Sequence, residues 1–351
     1  MNALRIAQFH SSLPAPDRKV GGVEVFVHRL ANRLVDRGHD VTMFTFAARP
    51  EDARYKVAQA GPPWAGTGQV ARLTLAPLAL NRLALGGFDV LHLNGDDWFM
   101  CRRRVPTVRT FYGAALFEAR TATSTKRRVT RAMVYPLEVL ASRLATLSFD
   151  IGSELPKGYR THGSLALAVQ DPSSPAGVAR TSHPSVLFVG TWEGRKRGSF
   201  LVDRFVADVL PRHPTARLTM VSDRCDQQPG VTWVRFPTDD EMSRLYRSSW
   251  LFCMPSTYEG FGMPYLEAMT HDLPVVATHN PGARFVLRDG SGVLASDGDL
   301  GPTLSALLAD EGARARLATA GRARALDFSW ERVLTEHERA YEAAISRFMR
   351  G

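Results

Sequence analysis

Short apolar stretches alternate with helical spacing along the first half of the chain. Leu4–Phe9 is an apolar run, a loop rich in Ser, Pro and Gly follows, and Val23–Asp36 has the spacing of an amphipathic helix. Val41–Phe46 then shows the alternation of a strand. Strand, glycine-containing loop, helix and strand in this order are typical of a βαβ unit. Two further strands are predicted at Asp89–Leu93 and Thr107–Phe111.

The same rhythm restarts in the second half, after a stretch rich in Pro, Ser and Gly at Gln170–Pro184 that indicates a linker. Strands are predicted at Ser185–Gly190, Ala216–Val221, Val231–Phe236, Trp250–Met254 and Pro274–Thr278. Helices are predicted at Phe200–Leu210, Asp239–Ser248, Met263–Thr270 and Ser329–Arg347. Two successive βαβ series predict an α/β protein with two Rossmann-like domains, in which ligands bind at the carboxyl ends of the strands.

This pattern divides the 351 residues into four parts. We expect a first Rossmann-like domain at residues 1–170, a linker at 171–184 and a second Rossmann-like domain at 185–328. Residues 329–351 are expected to form a helix that packs back toward the first domain. The two domains are expected to face one interdomain cleft.

Composition excludes several classes of protein. Apolar residues make up 44% of the chain, which is enough for substantial cores. Cys101, Cys225 and Cys253 form no close pair and lack metal-type spacing, so a reducing cytoplasm is expected rather than a disulfide framework or a zinc site. Met1–His10 lacks the long apolar core of a signal peptide. Ala132–Phe149 is too polar for a membrane span and favours a kinked amphipathic helix.

Charge is concentrated in one window. Lys and Arg exceed Asp and Glu by 44 − 35 = 9, and Cys101–Arg131 alone nets +8 because Glu118 is its one acid. Its basic residues are Arg102, Arg103, Arg104, Arg109, Arg120, Lys126, Arg127, Arg128 and Arg131. Two interpretations stay open, an anionic membrane surface or acceptor and a solvated face of an arginine-rich protein. No nucleic-acid-binding signature accompanies the charge, so nucleic acid is not expected as a partner.

The run Pro255–Met269 carries the most informative chemistry. Gly260 and Gly262 let backbone amides approach a ligand closely, and a helix N-terminus supplies positive potential for phosphate. Glu259 lies in the loop and Glu267 in the helix, where carboxylates can bind sugar and ribose hydroxyls. Taken alone, the same run is compatible with two surface glutamates on an ordinary strand–turn–helix.

Pro255–Met269 resembles the retaining glycosyltransferases of family four, in group 1, whose mark is two glutamates separated by seven residues. The resemblance covers nearly the whole chain and implies a GT-B fold, with an acceptor-side first domain and a nucleotide-sugar-binding second domain. Its other motifs are Gly21–Glu24, Asp239–Tyr246, Leu273–Thr278 and Phe328–Val333.

The resemblance also implies roles for single residues. Glu267 would bind the nucleotide ribose and Glu259 the donor sugar. The backbone amides of Phe261, Gly262 and Met263, and the tight turn at Gly21 and Gly22, would face the sugar and diphosphate. Gly190–Gly198 corresponds to a loop whose cations stabilise the leaving diphosphate. Lys196 and Arg197 are the first candidates for these cations and Arg195 is the third, so Glu259, Lys196 and Arg197 form the predicted catalytic set.

Acceptor-side residues are expected at or after strand ends of the first domain. His92, Asn94, Asp96 and Asp97 could contact the acceptor, and either aspartate could assist its deprotonation, although a capped turn is the preferred interpretation of these residues. Tyr112 stands where the family often has a histidine that contacts the donor sugar. Three further departures are the missing Asn-Gly-Val-Asp signature in Leu165–Asp171, Asp272 in place of a glycine and Arg284 in place of a Pro-Glu pair.

The predicted reaction is transfer of a hexosyl group from an NDP-sugar to a hydroxyl with retention, in cell-surface glycan or glycolipid biosynthesis. UDP-sugar is the first expected donor and GDP-sugar the second, and no metal or further cofactor is expected to be required. Alternatives are a natural-product glycosyltransferase and a non-catalytic nucleotide- or glycan-binding module. A lipid-linked acceptor would place a cytoplasmic protein at the inner membrane face, with Cys101–Arg131 in contact with anionic lipid.

Overall fold

The computed structural model describes residues 3–15, 21–62, 69–122, 124–152, 154–169 and 177–350. Residues 170–176, which include the first six residues of the predicted linker 171–184, lie outside this set. The chain forms two compact units. The first comprises Met1–Ala119, Val129–Leu167 and Glu331–Gly351, and the second comprises Arg120–Arg128 and Ala168–Trp330.

The first unit is built on a six-stranded parallel sheet in the order β3-β2-β1-β4-β5-β6. The strands are β1 (Arg5–Phe9), β2 (Asp40–Thr45), β3 (Lys56–Gln59), β4 (Val90–Leu93), β5 (Thr107–Phe111) and β6 (Leu147–Asp150). The helices α1 (Gly22–Asp36), α2 (Gln69–Ala79), α3 (Ala115–Arg120) and α4 (Thr125–Leu144) follow the strands along the chain, and the first turn of α4, up to Arg128, is grouped with the second unit. Every residue of β4 and β5 is buried, as expected for central strands of a parallel sheet whose faces are both covered.

Helix α11 (Trp330–Phe348) belongs to the first unit from Glu331 onward, although it follows the second unit in sequence. Its Tyr341 hydroxyl lies 2.9 Å from Nδ1 of His92 on β4. The buried Glu338 carboxylate lies 2.6 Å from Arg37 Nη1 and 3.1 Å from His39 Nε2. These buried polar contacts fix the helix against the first sheet.

The second unit repeats the architecture with a parallel sheet in the order β12-β11-β10-β7-β8-β9. Its strands are β7 (Ser185–Val189), β8 (Arg217–Val221), β9 (Val231–Val234), β10 (Leu251–Met254), β11 (Val275–Thr278) and β12 (Val293–Ala295). Its helices are α5 (Gly198–Arg204), α6 (Asp239–Ser248), α7 (Met263–Thr270), α8 (Pro281–Val286), α9 (Leu300–Ala309) and α10 (Glu311–Leu326).

Strand order reverses once in each sheet, between β1 and β4 in the first and between β7 and β10 in the second. In open parallel sheets, ligands bind beyond the carboxyl ends of the strands at such a switch point. The strands at the second switch point lead into loops 190–197 and 255–262, and those at the first lead into the segments that begin at His10 and Asn94. Topology therefore places the sequence-predicted site loops at switch points.

Most predicted elements are confirmed, and β5, α6 and α7 have the predicted bounds. The prediction of one helix at Phe200–Leu210 is wrong in detail, because α5 ends at Arg204 and a π-helical turn follows at Phe205–Val209. The predicted helix Ala132–Phe149 is also misplaced: α4 ends at Leu144, and Leu147–Asp150 is a strand paired with β5. The apolar residues of Leu147–Phe149 are buried in the sheet, and that tertiary pairing overrides the helical spacing.

Candidate functional site

Two loops at the switch point of the second sheet are joined by direct hydrogen bonds. The Thr257 amide donates to the Arg195 carbonyl oxygen at 2.8 Å, and Arg195 Nη1 donates to the Tyr258 carbonyl oxygen at 2.8 Å. Arg197 Nε donates to the Pro255 carbonyl oxygen at 2.7 Å. Loops 190–197 and 255–262 therefore form one connected wall at the carboxyl edge of the sheet.

Glu259 lies at the centre of this wall with 5% of its surface exposed. Its Oε1 lies 2.6 Å from Arg195 Nη1 and 3.8 Å from Lys196 Nζ, and the Ser256 hydroxyl donates to it at 2.9 Å. Burial alone would raise the pKa of Glu259, but the Lys196 and Arg195 charges and the hydrogen bonds outweigh it, so the pKa lies below its usual value. The side chain is a carboxylate that accepts hydrogen bonds.

Gly262 ends the loop in the left-handed region, with φ of +96°, immediately before α7. A Cβ atom there would lie 2.4 and 2.6 Å from ring atoms of Tyr265. The Tyr265 ring is fully buried, and its hydroxyl donates to the Met254 carbonyl oxygen at 3.2 Å. Both the backbone conformation and the packing at this position therefore require glycine.

The start of α8 supports the same loop from behind. The Gly282 amide donates to the Glu259 carbonyl oxygen at 3.0 Å, and a Cβ at Gly282 would lie 2.6 Å from the Phe261 carbonyl oxygen. The Asn280 side-chain amide donates to the Ser256 carbonyl oxygen at 3.0 Å. Sequence reasoning assigned no role to Asn280 or Gly282, although Asn-Pro-Gly is a recognisable turn and helix-start signal.

Glu267 is the fifth residue of α7 and is half-buried. The buried Tyr246 of α6 donates its hydroxyl proton to Glu267 Oε2 at 2.8 Å. Burial, together with the negative charge of Glu267, raises the pKa of Tyr246 well above its usual value, so the phenol stays protonated. Tyr246 belongs to the motif Asp239–Tyr246, but no sequence pattern pairs it with Glu267.

The Arg197 side chain points toward Asp297, away from the Glu259 carboxylate that Arg195 and Lys196 face. It has φ of 55° and ψ of 48°, and its guanidinium makes a two-pronged contact with the Asp297 carboxylate at 2.7 and 2.6 Å. The guanidinium carbon also lies 4.3 Å from the ring centroid of Phe200. The structure therefore brings Arg195 and Lys196 to Glu259, and it brings Arg197 to Asp297.

The glycine loop of the first unit lies at the start of α1. The exposed Gly21 donates its amide proton to Glu24 Oε2 at 2.8 Å, and the Ser12 hydroxyl donates to Glu24 Oε1. Gly22 is also exposed, and a Cβ there would meet no atom within 4 Å. Glu24 thus connects the loop after β1 to the first turn of α1.

Asn94 and Tyr112 form a pair after the ends of β4 and β5. The Tyr112 hydroxyl donates to Asn94 Oδ1 at 2.6 Å, and Asn94 Nδ2 donates to the Phe9 carbonyl oxygen at 3.2 Å. Burial raises the pKa of Tyr112, so the phenol remains protonated. This pair joins the ends of three strands of the first sheet at its switch point.

Asp97 is fully buried, with its carboxylate 2.9 Å from Arg103 Nη2 and 2.6 Å from Arg109 Nε. Burial lowers the pKa of Arg103, while the Asp97 charge opposes that shift. Asp96 precedes this cluster with a positive φ of 49° and a half-buried side chain. Two of the nine basic residues in the Cys101–Arg131 window are therefore interior partners of Asp97 and do not belong to an exposed basic patch.

Helix α4 presents an apolar row to solvent. Val129 is 50% exposed, Met133 67% and Leu140 43%, and their spacing places them on one side of the helix. Lys126, Arg127 and Arg128 are exposed at its start, and Arg131 Nε lies 3.0 Å from Glu118 Oε2. Among the residues that the structure describes, no helix combines the length and apolar character that a membrane span requires.

Solved structures with the same fold cover almost the whole chain. A sucrose-phosphate synthase from Thermosynechococcus elongatus superposes with a TM-score of 0.74 at 20% identity, over 98% of this chain and 99% of its own. Anabaena HepE in complex with UDP and glucose gives 0.72 at 18% identity, over 97% of this chain and 100% of its own. These matches, together with the two parallel sheets, confirm the predicted GT-B fold.

Sequence comparison identifies the family. Residues 183–310 match the family model described as "Glycosyl transferases group 1", and residues 20–159 match "Glycosyltransferase Family 4". A phosphatidyl-myo-inositol mannosyltransferase of Mycobacterium leprae is 30% identical over 92% of this chain and 93% of its own length. A D-inositol 3-phosphate glycosyltransferase of Acidothermus cellulolyticus is 27% identical over 89% of this chain and 83% of its own. The chain belongs to the group 1 glycosyltransferases of family four, as the resemblance predicted, and it is a glycosyltransferase.

Proposed function

We propose that the protein is a retaining enzyme that moves a hexosyl group from an NDP-sugar to a hydroxyl acceptor. The observation that carries this proposal is the buried Glu259 carboxylate, held by Arg195 and Lys196 at the switch point of the second sheet. Such a site combines cations for a diphosphate with a carboxylate for sugar hydroxyls. UDP-sugar is the first proposed donor, supported by the UDP bound to HepE, and GDP-sugar is the second.

In this proposal the second unit binds the donor at three points. Glu267, oriented by Tyr246, accepts hydrogen bonds from the ribose hydroxyls. The backbone amides of Phe261, Gly262 and Met263 face the sugar and diphosphate. Glu259 accepts from the sugar hydroxyls, and its lowered pKa keeps it ionised for that task at neutral pH.

The cations act on the leaving group. Charge accumulates on the diphosphate as the glycosidic bond breaks, and fixed positive groups in a water-poor site stabilise that charge. Glu259 is already engaged by Arg195 and Lys196, which disfavours its use as a covalent nucleophile. We therefore propose attack of the acceptor on the face that the diphosphate leaves, with the diphosphate taking the acceptor proton and no metal required.

The acceptor is proposed to be a polyol or a lipid-linked glycan that contacts the first unit. Relatives named as mannosyl- or glycosyltransferases of phosphatidylinositol and inositol phosphate support this class. Gly21, Asn94 and Asp96 lie in the segments after the switch-point strands β1 and β4, and Tyr112 follows the neighbouring strand β5. Asp97 is enclosed by Arg103 and Arg109, so its carboxylate supports the loop rather than deprotonating the acceptor.

A lipid-linked acceptor requires access to a membrane surface, and we propose a cytoplasmic enzyme that binds peripherally at the inner face. Exposed Arg102 and Arg104, and the basic start of α4 beside its apolar row, support this part of the proposal. Apolar side chains flanked by arginine and lysine are the usual chemistry of an interfacial helix on anionic lipid.

A panel of NDP-sugars tests the donor assignment. The correct donor should raise the thermal unfolding midpoint, because a ligand that binds only the native state stabilises it by mass action. Transfer to inositol or lipid-linked acceptors is then measured, and Glu267→Ala and Lys196→Ala should each abolish it with the unfolding midpoint of the free protein unchanged. Donor binding without transfer or hydrolysis would favour a non-catalytic module, and wild-type turnover in either variant would refute the residue roles.

A further inference from the structure

We propose that Arg197 is a positioning residue, and that Asp297 is the partner through which it acts. The pair holds the loop so that the neighbouring Arg195 and Lys196 face the diphosphate of the donor. This inference rests on the proposed nucleotide-sugar site. It makes Arg195 and Lys196 ligands of the diphosphate and Arg197 a support for the loop that carries them.

Backbone conformation first sets Arg197 apart. Its φ of 55° lies in the left-handed region, which an arginine adopts only where surrounding contacts enforce it. It joins the 3₁₀ turn Gly194–Lys196 to α5, and the Gly198 amide donates to the Thr191 carbonyl oxygen across that junction. The direction in which α5 leaves the 3₁₀ turn therefore depends on the left-handed conformation of Arg197.

Three contacts occupy the Arg197 guanidinium. Asp297, in the loop after β12, accepts two hydrogen bonds, the Pro255 carbonyl oxygen accepts a third, and the ring of Phe200 stacks against the group. A planar guanidinium matches a carboxylate in this two-pronged geometry, and an ammonium cannot reproduce it. The side chain is 20% exposed, so most of it is already packed.

The contacts of the preceding residues show what this support achieves. Lys196 Nζ lies 3.8 Å from Glu259 and 3.5 Å from Met254 Sδ, and Arg195 bonds to Tyr258 and Glu259. Those cations meet loop 255–262 from one side, while Arg197 fixes Pro255 at the start of the same loop. Asp297 adds a third loop to the assembly, outside every motif that the sequence revealed.

The two possible roles of Arg197, ligand and support, predict opposite effects on diphosphate affinity when the Asp297 charge is removed. An aspartate near a diphosphate weakens binding of the anion through repulsion, so its removal should improve binding if Arg197 is itself a ligand. A support role predicts the opposite. Asp297→Asn should weaken diphosphate binding, because the two-pronged contact between Arg197 and Asp297 that holds the loop is lost. Arg197→Lys also distinguishes the two roles. Lysine can bind phosphate as a point charge and so could replace a ligand, but it cannot make the two-pronged contact with Asp297 that a support role requires.

The experiment compares Asp297→Asn, Arg197→Gln, Arg197→Lys and the double variant Arg197→Gln/Asp297→Asn with the direct ligand variant Lys196→Gln. Affinity for UDP, GDP and the parent nucleosides is measured by calorimetry, with kcat and KM for the donor and the thermal unfolding midpoint. Lys56→Gln/Asp40→Asn is the control, because it removes an exposed ion pair at the amino ends of β2 and β3.

We expect each single change at the pair to lower diphosphate affinity and kcat/KM by about tenfold, as for a lost charged hydrogen bond, with nucleoside affinity and the unfolding midpoint unchanged. The double variant should bind the diphosphate no more weakly than the single variant with the lower affinity. Arg197→Lys should bind as weakly as Arg197→Gln. Diphosphate binding by Asp297→Asn that equals or exceeds that of the wild type, or additive losses in the double variant, would overturn the positioning role of Arg197 and leave the proposed function intact. Failure of the wild-type protein to bind either diphosphate would overturn the proposed function, and this inference with it.

Discussion

The hydroxyl of Tyr246 on α6 donates a 2.8 Å hydrogen bond to the Glu267 carboxylate on α7. Tyr246 is 3% exposed and its ring stacks on His271, with the ring centroids 5.1 Å apart. The tyrosine therefore leaves Glu267 little freedom to rotate. If Glu267 binds the ribose, its affinity for two hydroxyls depends on this preset orientation.

Tyr246→Phe tests that dependence while the ring is retained. We expect the dissociation constant for the donor to rise by about 10- to 100-fold, because a hydrogen bond to a charged group contributes ~1.5–3 kcal/mol. Calorimetry with the nucleoside diphosphate measures the change. Tyr135→Phe is the matched control, because it removes a hydroxyl that bonds to the Lys157 carbonyl oxygen in the first unit. Equal donor affinity in Tyr246→Phe and wild type would contradict the orienting role.

Gly282→Ala tests the support behind the Glu259 loop. The new methyl group would lie 2.6 Å from the Phe261 carbonyl oxygen and 2.9 Å from that of Glu259, so the loop must shift. We expect a loss of about 1–3 kcal/mol in unfolding free energy, together with weaker donor binding. Gly298→Ala is the control, because a Cβ there meets no atom within 4 Å. A stable Gly282→Ala protein with normal donor affinity would show that the loop tolerates displacement.

Buried His337 predicts a pH dependence of stability. Burial lowers its pKa from 6.5 to about 4, despite the Val333 carbonyl oxygen that accepts from its ring. Between these values the unfolded chain binds a proton that the folded chain does not. His337 should therefore contribute a fall of about 3 kcal/mol in unfolding free energy as pH drops from 6.5 to about 4, and its own contribution should not grow further below the folded value.

Urea unfolding at a series of pH values measures this loss. His337→Leu should remove its share of the decline, whereas His279→Leu, at an exposed position, should retain the full decline. An unchanged pH profile in His337→Leu would mean that other groups cause the acid sensitivity.

The apolar row on α4 predicts how the enzyme binds anionic vesicles. Replacing Met133 or Val129 by Asp should lower partitioning onto phosphatidylglycerol vesicles by about 10- to 100-fold, because one buried apolar side chain contributes ~1.5–3 kcal/mol. Leu326→Asp is the matched control, since Leu326 is 55% exposed on α10. Sedimentation with neutral and anionic vesicles separates the apolar from the ionic contribution. Equal binding by Met133→Asp and Leu326→Asp would refute docking through α4.

The sequence was sufficient to predict the elements whose signals are local. Helix α6 has its predicted bounds because Thr238 and Glu241 form a capping box at its start. The glutamates 259 and 267 were recognisable from spacing within one run. Side-chain direction was not predictable: Arg195, Lys196 and Arg197 are adjacent, yet the last of them turns to Asp297, which is 100 positions away in the chain.

Sequence patterns also did not predict which charged side chains are buried. Arg103 and Arg109 looked like members of a basic surface, but both pair with the buried Asp97 in the interior. The misplaced helix at Ala132–Phe149 has the same cause, since apolar residues suit either element and the sheet edge beside β5 decides between them. Long-range pairing, which has no local signature, accounts for each of these errors.

Helix α11 has a consequence for biosynthesis. The first unit contains both the early strands and a helix that the ribosome adds only after the entire second unit. During translation His92 and Arg37 therefore lack Tyr341 and Glu338, and the sheet face that α11 covers stays open to chaperones or to aggregation. The second unit, which is nearly continuous in sequence, can complete its sheet before the first unit is finished.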